Sequence, residues 1–196
     1  QVGFELSPGD GLGVIGNSAA GKSTLMLGTS VDAEQDGLPG PQADGDDLDG
    51  LADEDGVAAP IEFVVGEQTV VTITATNDTD SEATLAGWVD LDGNGTFDPA
   101  ERVIVNVPAN SGAAQYTLTF PVGTATSDTF ARFRLFSGAV ADPLPTGPAA
   151  GGEVEDYPVT FADRALEIEK ETTQTADSRP GDVVTYTITA TNTGTA

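Results

Sequence analysis

The stretch "DLDGNGTFDPAE" (Asp90–Glu101) carries the clearest chemistry in the chain. It satisfies D-x-[DN]-x-[DN]-G-x5-E at every position, a spacing that wraps oxygen ligands around one Ca2+. Asp90, Asp92 and Asn94 would supply side-chain oxygens, and Thr96 its backbone carbonyl. Asp98 would act directly or through water, Glu101 would close the shell with both oxygens, and Gly95 sits where the backbone must turn sharply. The competing reading is an Asp/Asn/Gly-rich turn that needs no metal. "GWV" before the loop and "RVIVNV" after it read as strands, so the expectation is a loop set between strands rather than a helical hand.

Two other stretches invite chemistry. "DGDDLDGLADEDG" (Asp44–Gly56) brings Asp44, Asp46, Asp49, Asp53 and Asp55 close in sequence, enough carboxylates for one or two ions. No register of it reproduces the full loop pattern, and a solvated acidic loop is the alternative. Gly16–Ser23, "GNSAAGKS", fits the phosphate-binding pattern G-x-x-x-x-G-K-[ST]. A working phosphate loop needs a helix of several turns behind it, and here Gly28 and an acidic, Gly/Pro-rich run follow almost at once. A nucleotide-binding protein therefore stands as an alternative, not as the principal reading.

Charge supports the metal chemistry. The 196 residues carry 32 Asp+Glu against 7 Lys+Arg, a formal charge of −25. That imbalance repels nucleic acid and anionic membranes and costs stability by self-repulsion. Hard divalent cations bound by carboxylates would offset it. With no cysteine and no histidine, disulfides, thiolate metal sites and histidine bases are excluded. No apolar run is long enough to span a bilayer, so membrane insertion is not expected. No signal peptide is visible, and a mature secreted chain would have lost one.

The elements that must position these groups are strands. "TVVTITATN" (Thr69–Asn77) alternates, and "AGWVDL", "RVIVNVP", "AQYTLTFP" and "TFARFRLFS" follow, separated by Asp/Asn/Gly/Ser turn signals. No segment sustains a helical period. The fold class predicted is all-β, an antiparallel β-sandwich with long acidic loops. "TITATN" occurs at Thr72–Asn77 and again at Thr187–Asn192. The second copy lies in a tail that supplies about two strands, too few for a core of their own. The organisation predicted is a Gly-rich and acidic segment over 1–58, a sandwich over 59–162, and an incomplete repeat or strand-pairing tail over 163–196.

"GWVDLDGNGTFDPAERV", "ARFRLFSG" and above all "GGEVEDYPV" (Gly151–Val159) resemble the bacterial GEVED domain. With the acidic segment before it, the resemblance covers roughly residues 26–162. The tail "LEIEKETTQTADSRPGDVVTYTITATNTG" is similar to the opening of an Ig-like repeat found in tandem on bacterial surface proteins. These resemblances imply an extracellular β-sandwich from a modular protein, with no established catalytic role. Read physically, Glu153 and Glu155 lie on one face of an extended strand, and Arg132 and Arg134 stand at the same spacing. A cross-strand carboxylate–arginine ladder would account for both pairs. A catalytic carboxylate pair, or calcium ligation by Glu155 or Asp156, are the alternatives.

The sequence thus predicts a calcium-stabilised structural or adhesive module of a bacterial extracellular or cell-surface protein, not an enzyme. Its partners would be neighbouring domains or copies of the same chain, with fibre or tube assembly through the C-terminal strands as one possibility. A carbohydrate-binding module is a further alternative. Trp88 and the three Tyr could stack on sugars, but Trp88 in "GWVDL" reads more simply as core.

Overall fold

The computed structural model describes residues 25–29, 55–58, 60–147, 151–172, 174 and 177–195. The chain divides into two compact units, one ending at Phe161 and the other spanning Ala162–Ala196. The first contains β1 (Leu25–Leu27), β2 (Ile61–Val64), β3 (Thr69–Asn77), β4 (Ala83–Val89), β5 (Arg102–Val107), β6 (Gly112–Phe120), β7 (Thr129–Ser137) and β8, which runs Gly152–Ala162 and ends at the boundary. Among the described residues the only helical element is a 3-10 turn, Pro99–Glu101.

Period-2 patterning sorts these strands into two layers. One sheet has the order β1-β3-β6 and the other β2-β8-β7-β4-β5. Pairings β1–β3, β3–β6, β4–β5, β4–β7 and β7–β8 are all antiparallel. Alternate residues Val71 and Ile73 of β3, with Leu118 and Phe120 of β6, enter a core shared with Phe63, Leu85, Phe133 and Val159 of the larger sheet. Phe120 stacks edge-on against Phe63 and Phe133 from across the gap, at centroid separations of 6.0 and 6.4 Å. Such edge-to-face pairs add to the area term that dominates sandwich stability. The protein is an all-β antiparallel sandwich, as the alternation predicts. Residues upstream of 59 contribute to it, since β1 pairs with β3 and Val57 bridges Ile73.

β4 is buried on both faces. Leu85 and Val89 join the main core, whereas Ala86 and Trp88 pack with Phe136, Phe97 and Val140 on the outer side of the larger sheet. Trp88 is therefore buried, in a small second cluster. Gly87 sits in a tight spot: a Cβ there would lie 2.7 Å from Leu118 of the facing sheet and 2.8 Å from Phe133 of the adjacent strand. Only glycine fits without displacing a core side chain.

The second unit is an antiparallel hairpin of β9 (Leu166–Thr172) and β10 (Tyr186–Asn192). Its register puts Leu166, Ile168, Tyr186 and Ile188 on one face and Glu167, Glu169 and Glu171 on the other. The "TITATN" echo survives in local geometry. Asn77 Oδ1 accepts from Thr79 N at 3.0 Å, and Asn192 Oδ1 accepts from Gly194 N at 3.0 Å. Exposure separates the copies: Ile73 is fully buried, while Ile188 is 66% exposed.

Candidate metal centre

The acidic loop joins two adjacent antiparallel strands, β4 and β5, at one end of the larger sheet. Asp90 directly follows β4 and is buried, and Glu101 closes the 3-10 turn that leads into β5 and is also buried. Asp92 is exposed between them. One carboxylate oxygen from each of Asp90, Asp92 and Glu101 lies within 4.8 Å of the others. Pro99 suits the first position of the turn, because its fixed φ matches and its missing N–H is not needed there.

Backbone donors hold the two buried carboxylates. Asp90 Oδ1 accepts from Asn94 N and its Oδ2 from Gly95 N, both at 3.0 Å. Glu101 Oε1 accepts from Leu91 N at 2.7 Å and its Oε2 from Asp98 N at 2.8 Å. A carboxylate has about four lone-pair sites, so each oxygen keeps one for a cation. Burial pushes the Glu101 carboxyl above its ordinary range; the N–H groups of Asp98 and Leu91 oppose this, and the charges of Asp92 and Asp90 reinforce it. Arg102, the basic residue beside the loop, turns instead to Asp142 and the Pro143 carbonyl. The donor set therefore fits a hard divalent ion: clustered carboxylate oxygens, oriented in advance by amides, with no ion pair to a basic side chain among the described residues.

The remaining predicted positions are close but not equivalent. Asn94 reaches both neighbours, donating from Nδ2 to Asp92 Oδ2 at 3.1 Å and to Asp98 Oδ2 at 3.3 Å. Thr96 donates its backbone N–H to Asn94 Oδ1 at 2.8 Å. Asp98 is not a member of the three-carboxylate group.

Leu91 is a member the motif does not name. Its N–H binds Glu101, its carbonyl accepts from Thr124 N at 2.7 Å and Ala125 N at 2.9 Å, and its side chain is buried in the main core. It couples the acidic loop to the connection between β6 and β7. An apolar residue between the first two ligand positions, Asp90 and Asp92, is the available signal.

The "GEVED" strand resolves differently from the ladder predicted. In the β7–β8 register Arg132 faces Asp156, Phe133 faces Glu155 and Arg134 faces Val154. Glu153 and Glu155 do share a face, but it is the one opposite to Arg132 and Arg134. A one-residue offset in register exchanges the faces of a whole strand, and spacing within each strand cannot reveal it. Asp156 instead forms a two-point pair with Arg132, whose spare Nη1 donates to the Pro145 carbonyl at 2.9 Å. Arg134 donates to the carbonyls of Leu144 and Gly147. Burial, then the neighbouring Arg132 charge, lowers its pKa to about 10, with Asp156 opposing. These two arginines fasten residues 144–147 over the outer face of the sheet.

On the inner face Glu155 accepts from Gly56 N at 3.1 Å and from the Tyr157 hydroxyl at 3.0 Å. Val57 N in turn donates to the Tyr157 hydroxyl at 3.0 Å. Gly56 makes the approach possible, since a Cβ there would come within 2.4 Å of Glu155 Oε2. Glu153 accepts from Leu27 N, and Asp55 accepts from Thr29 N at 2.7 Å and from its hydroxyl at 2.5 Å. Glu155 and Asp156 thus leave opposite faces of β8 and cannot share one ion. Asp44, Asp46, Asp49, Asp53 and the Gly16–Ser23 motif lie outside the described residues.

What the fold and the loop define is an antiparallel β-sandwich with a cluster of carboxylates at the β4–β5 turn. Residues 84–160, from β4 through the "GEVED" strand, match the GEVED domain. No curated protein is matched. Among solved structures the chain is similar to the crystal structure of the apo form of the Calx CBD1 domain, at 12% identity and a TM-score of 0.26, covering 51% of this chain and 89% of that one.

Proposed function

We propose that this chain is a non-catalytic, calcium-stabilised β-sandwich module of a bacterial extracellular or cell-surface protein. The observation that carries the reading is the convergence of Asp90, Asp92 and Glu101 oxygens within 4.8 Å. They sit on amide donors at the turn between two core strands. Ca2+ held there would join the end of β4 to the start of β5. Through Leu91, it would also brace the connection between β6 and β7. The ion contributes charge neutralisation and cross-linking by coordination; the chain contributes the oriented oxygens.

Calorimetric titration of the chain with Ca2+ tests this. One saturable site per chain is expected in residues 90–101, lost in Asp90→Asn and in Glu101→Gln. Unaltered binding in both variants would move the site elsewhere, and no binding at all would end the proposal.

The hairpin favours a second, compatible role in assembly. Leu166, Ile168, Tyr186 and Ile188 are 64, 63, 52 and 66% exposed on one face of a two-stranded sheet to which no further strand pairs among the described residues. Exposed edges and apolar faces are the means by which strands add to a neighbouring sheet. Sedimentation over a wide concentration range, with Ile168→Lys as the disrupting variant, separates association from a strict monomer.

A further inference from the structure

Asn94 and Gly95 form an Asn–Gly pair at the exposed tip of the acidic loop. We propose that Asn94 is a self-deamidation site, in which the Gly95 backbone nitrogen attacks Asn94 Cγ and expels the side-chain nitrogen as ammonia.

Four features of the loop converge on that step. First, Asn94 Oδ1 accepts from both Thr96 N, at 2.8 Å, and Thr96 Oγ1, at 2.5 Å. Two donors on one carbonyl oxygen withdraw electron density from Cγ and stabilise the charge that gathers on oxygen as the nitrogen adds. Second, Gly95 N–H already donates to Asp90 Oδ2 at 3.0 Å, a carboxylate placed to receive its proton. Third, the leaving nitrogen lies beside two carboxylates, with Nδ2 at 3.1 Å from Asp92 and 3.3 Å from Asp98. Fourth, Gly95 has no side chain to obstruct ring closure at its own nitrogen. Attack within one loop is unimolecular, so proximity favours it.

The balance is complete with water alone. A bond forms between Gly95 N and Asn94 Cγ, the Cγ–Nδ2 bond breaks, and the proton from Gly95 leaves with the ammonia. Water then opens the five-membered imide. Opening at one carbonyl gives aspartate, which still fits the third ligand position of the loop. Opening at the other gives isoaspartate, which lengthens the backbone by a methylene and shifts Gly95 N–H from Asp90. Either product adds a negative charge to a loop that already carries Asp90, Asp92, Asp98 and Glu101.

This chemistry does not rest on calcium binding, and one experiment keeps the two apart. The full chain is incubated at mildly alkaline pH in chelator, digested at intervals, and each asparagine peptide is followed by mass spectrometry with chromatographic separation of isoaspartate. Asn94 is expected to convert several-fold faster than Asn110, which precedes Ser111, and Thr96→Val should slow it. Conversion of Asn94 no faster than that of Asn110 overturns the proposal, and an undiminished rate in Thr96→Val removes its geometric basis. A parallel incubation in Ca2+ should slow conversion. Equal rates with and without Ca2+ would leave the modification standing and count against an ion in the loop.

Discussion

Arg132 and Asp156 face each other across β7 and β8 in a two-point pair, Nε to Oδ1 at 2.7 Å and Nη2 to Oδ2 at 2.6 Å. Both side chains are almost wholly shielded, at 0% and 3% exposure. A buried pair offsets its desolvation cost only while both partners remain. Removing one leaves an unpaired buried charge, which costs about 3–5 kcal/mol. Asp156→Ala is therefore expected to lower the unfolding free energy by that amount in urea titrations. A double replacement by apolar residues of similar volume should recover much of the loss.

Glu155 governs a pH dependence. Its pKa is raised from 4.5 to about 8, first by burial, with the hydrogen bonds from Tyr157 and Gly56 opposing and the Asp55 charge reinforcing. The folded chain thus holds this proton more tightly than the unfolded chain does. Its contribution to stability is complete below the unfolded pKa near 4.5 and is lost as pH rises towards 8. Glu155→Gln, which keeps an acceptor for Gly56 N and cannot ionise, should flatten the fall in Tm between pH 5 and 8. A slope identical to that of the parent chain would show that Glu155 does not titrate in this window.

Close approach of the sheets at Gly87 yields a packing prediction. A methyl there must displace Leu118 or Phe133, and overfilling a core costs about 1–3 kcal/mol. Gly87→Ala should show that loss in chemical denaturation. Pairing it with Leu118→Val, which frees volume beside the new methyl, should restore part of it.

The strands were legible because antiparallel sheets with one buried face write their alternation directly into sequence, as in Thr69–Asn77. The loop from Asp90 to Glu101 was legible because ligand spacing is local, and the structure brings three of its carboxylates together. What escaped was long-range. Pairing of Arg132 with Asp156 rather than with Glu153 or Glu155 depends on register between β7 and β8, which no spacing within either strand encodes. The arginine bonds to carbonyls of 143–147 were hidden for the same reason, since backbone acceptors leave no trace in side-chain identity. Leu91 carries no signal in the motif, which leaves its position unrestricted. For Glu155 the sequence offers a ladder rung, a catalytic carboxylate or a ligand; its burial follows from Gly56 and Val57, about a hundred residues upstream, folding over it.

The most direct test of the central claim is the thermal midpoint in excess chelator and in excess Ca2+, for the parent chain and for Glu101→Gln. Ligand bound only by the folded state adds about 2.7 kcal/mol at a hundredfold excess over Kd. The midpoint of the parent chain should therefore rise by several degrees in Ca2+ and much less in Mg2+, which dehydrates reluctantly and demands a stricter octahedron. Glu101→Gln should lose most of the rise. A parent midpoint that is the same in chelator and in Ca2+ would contradict the account.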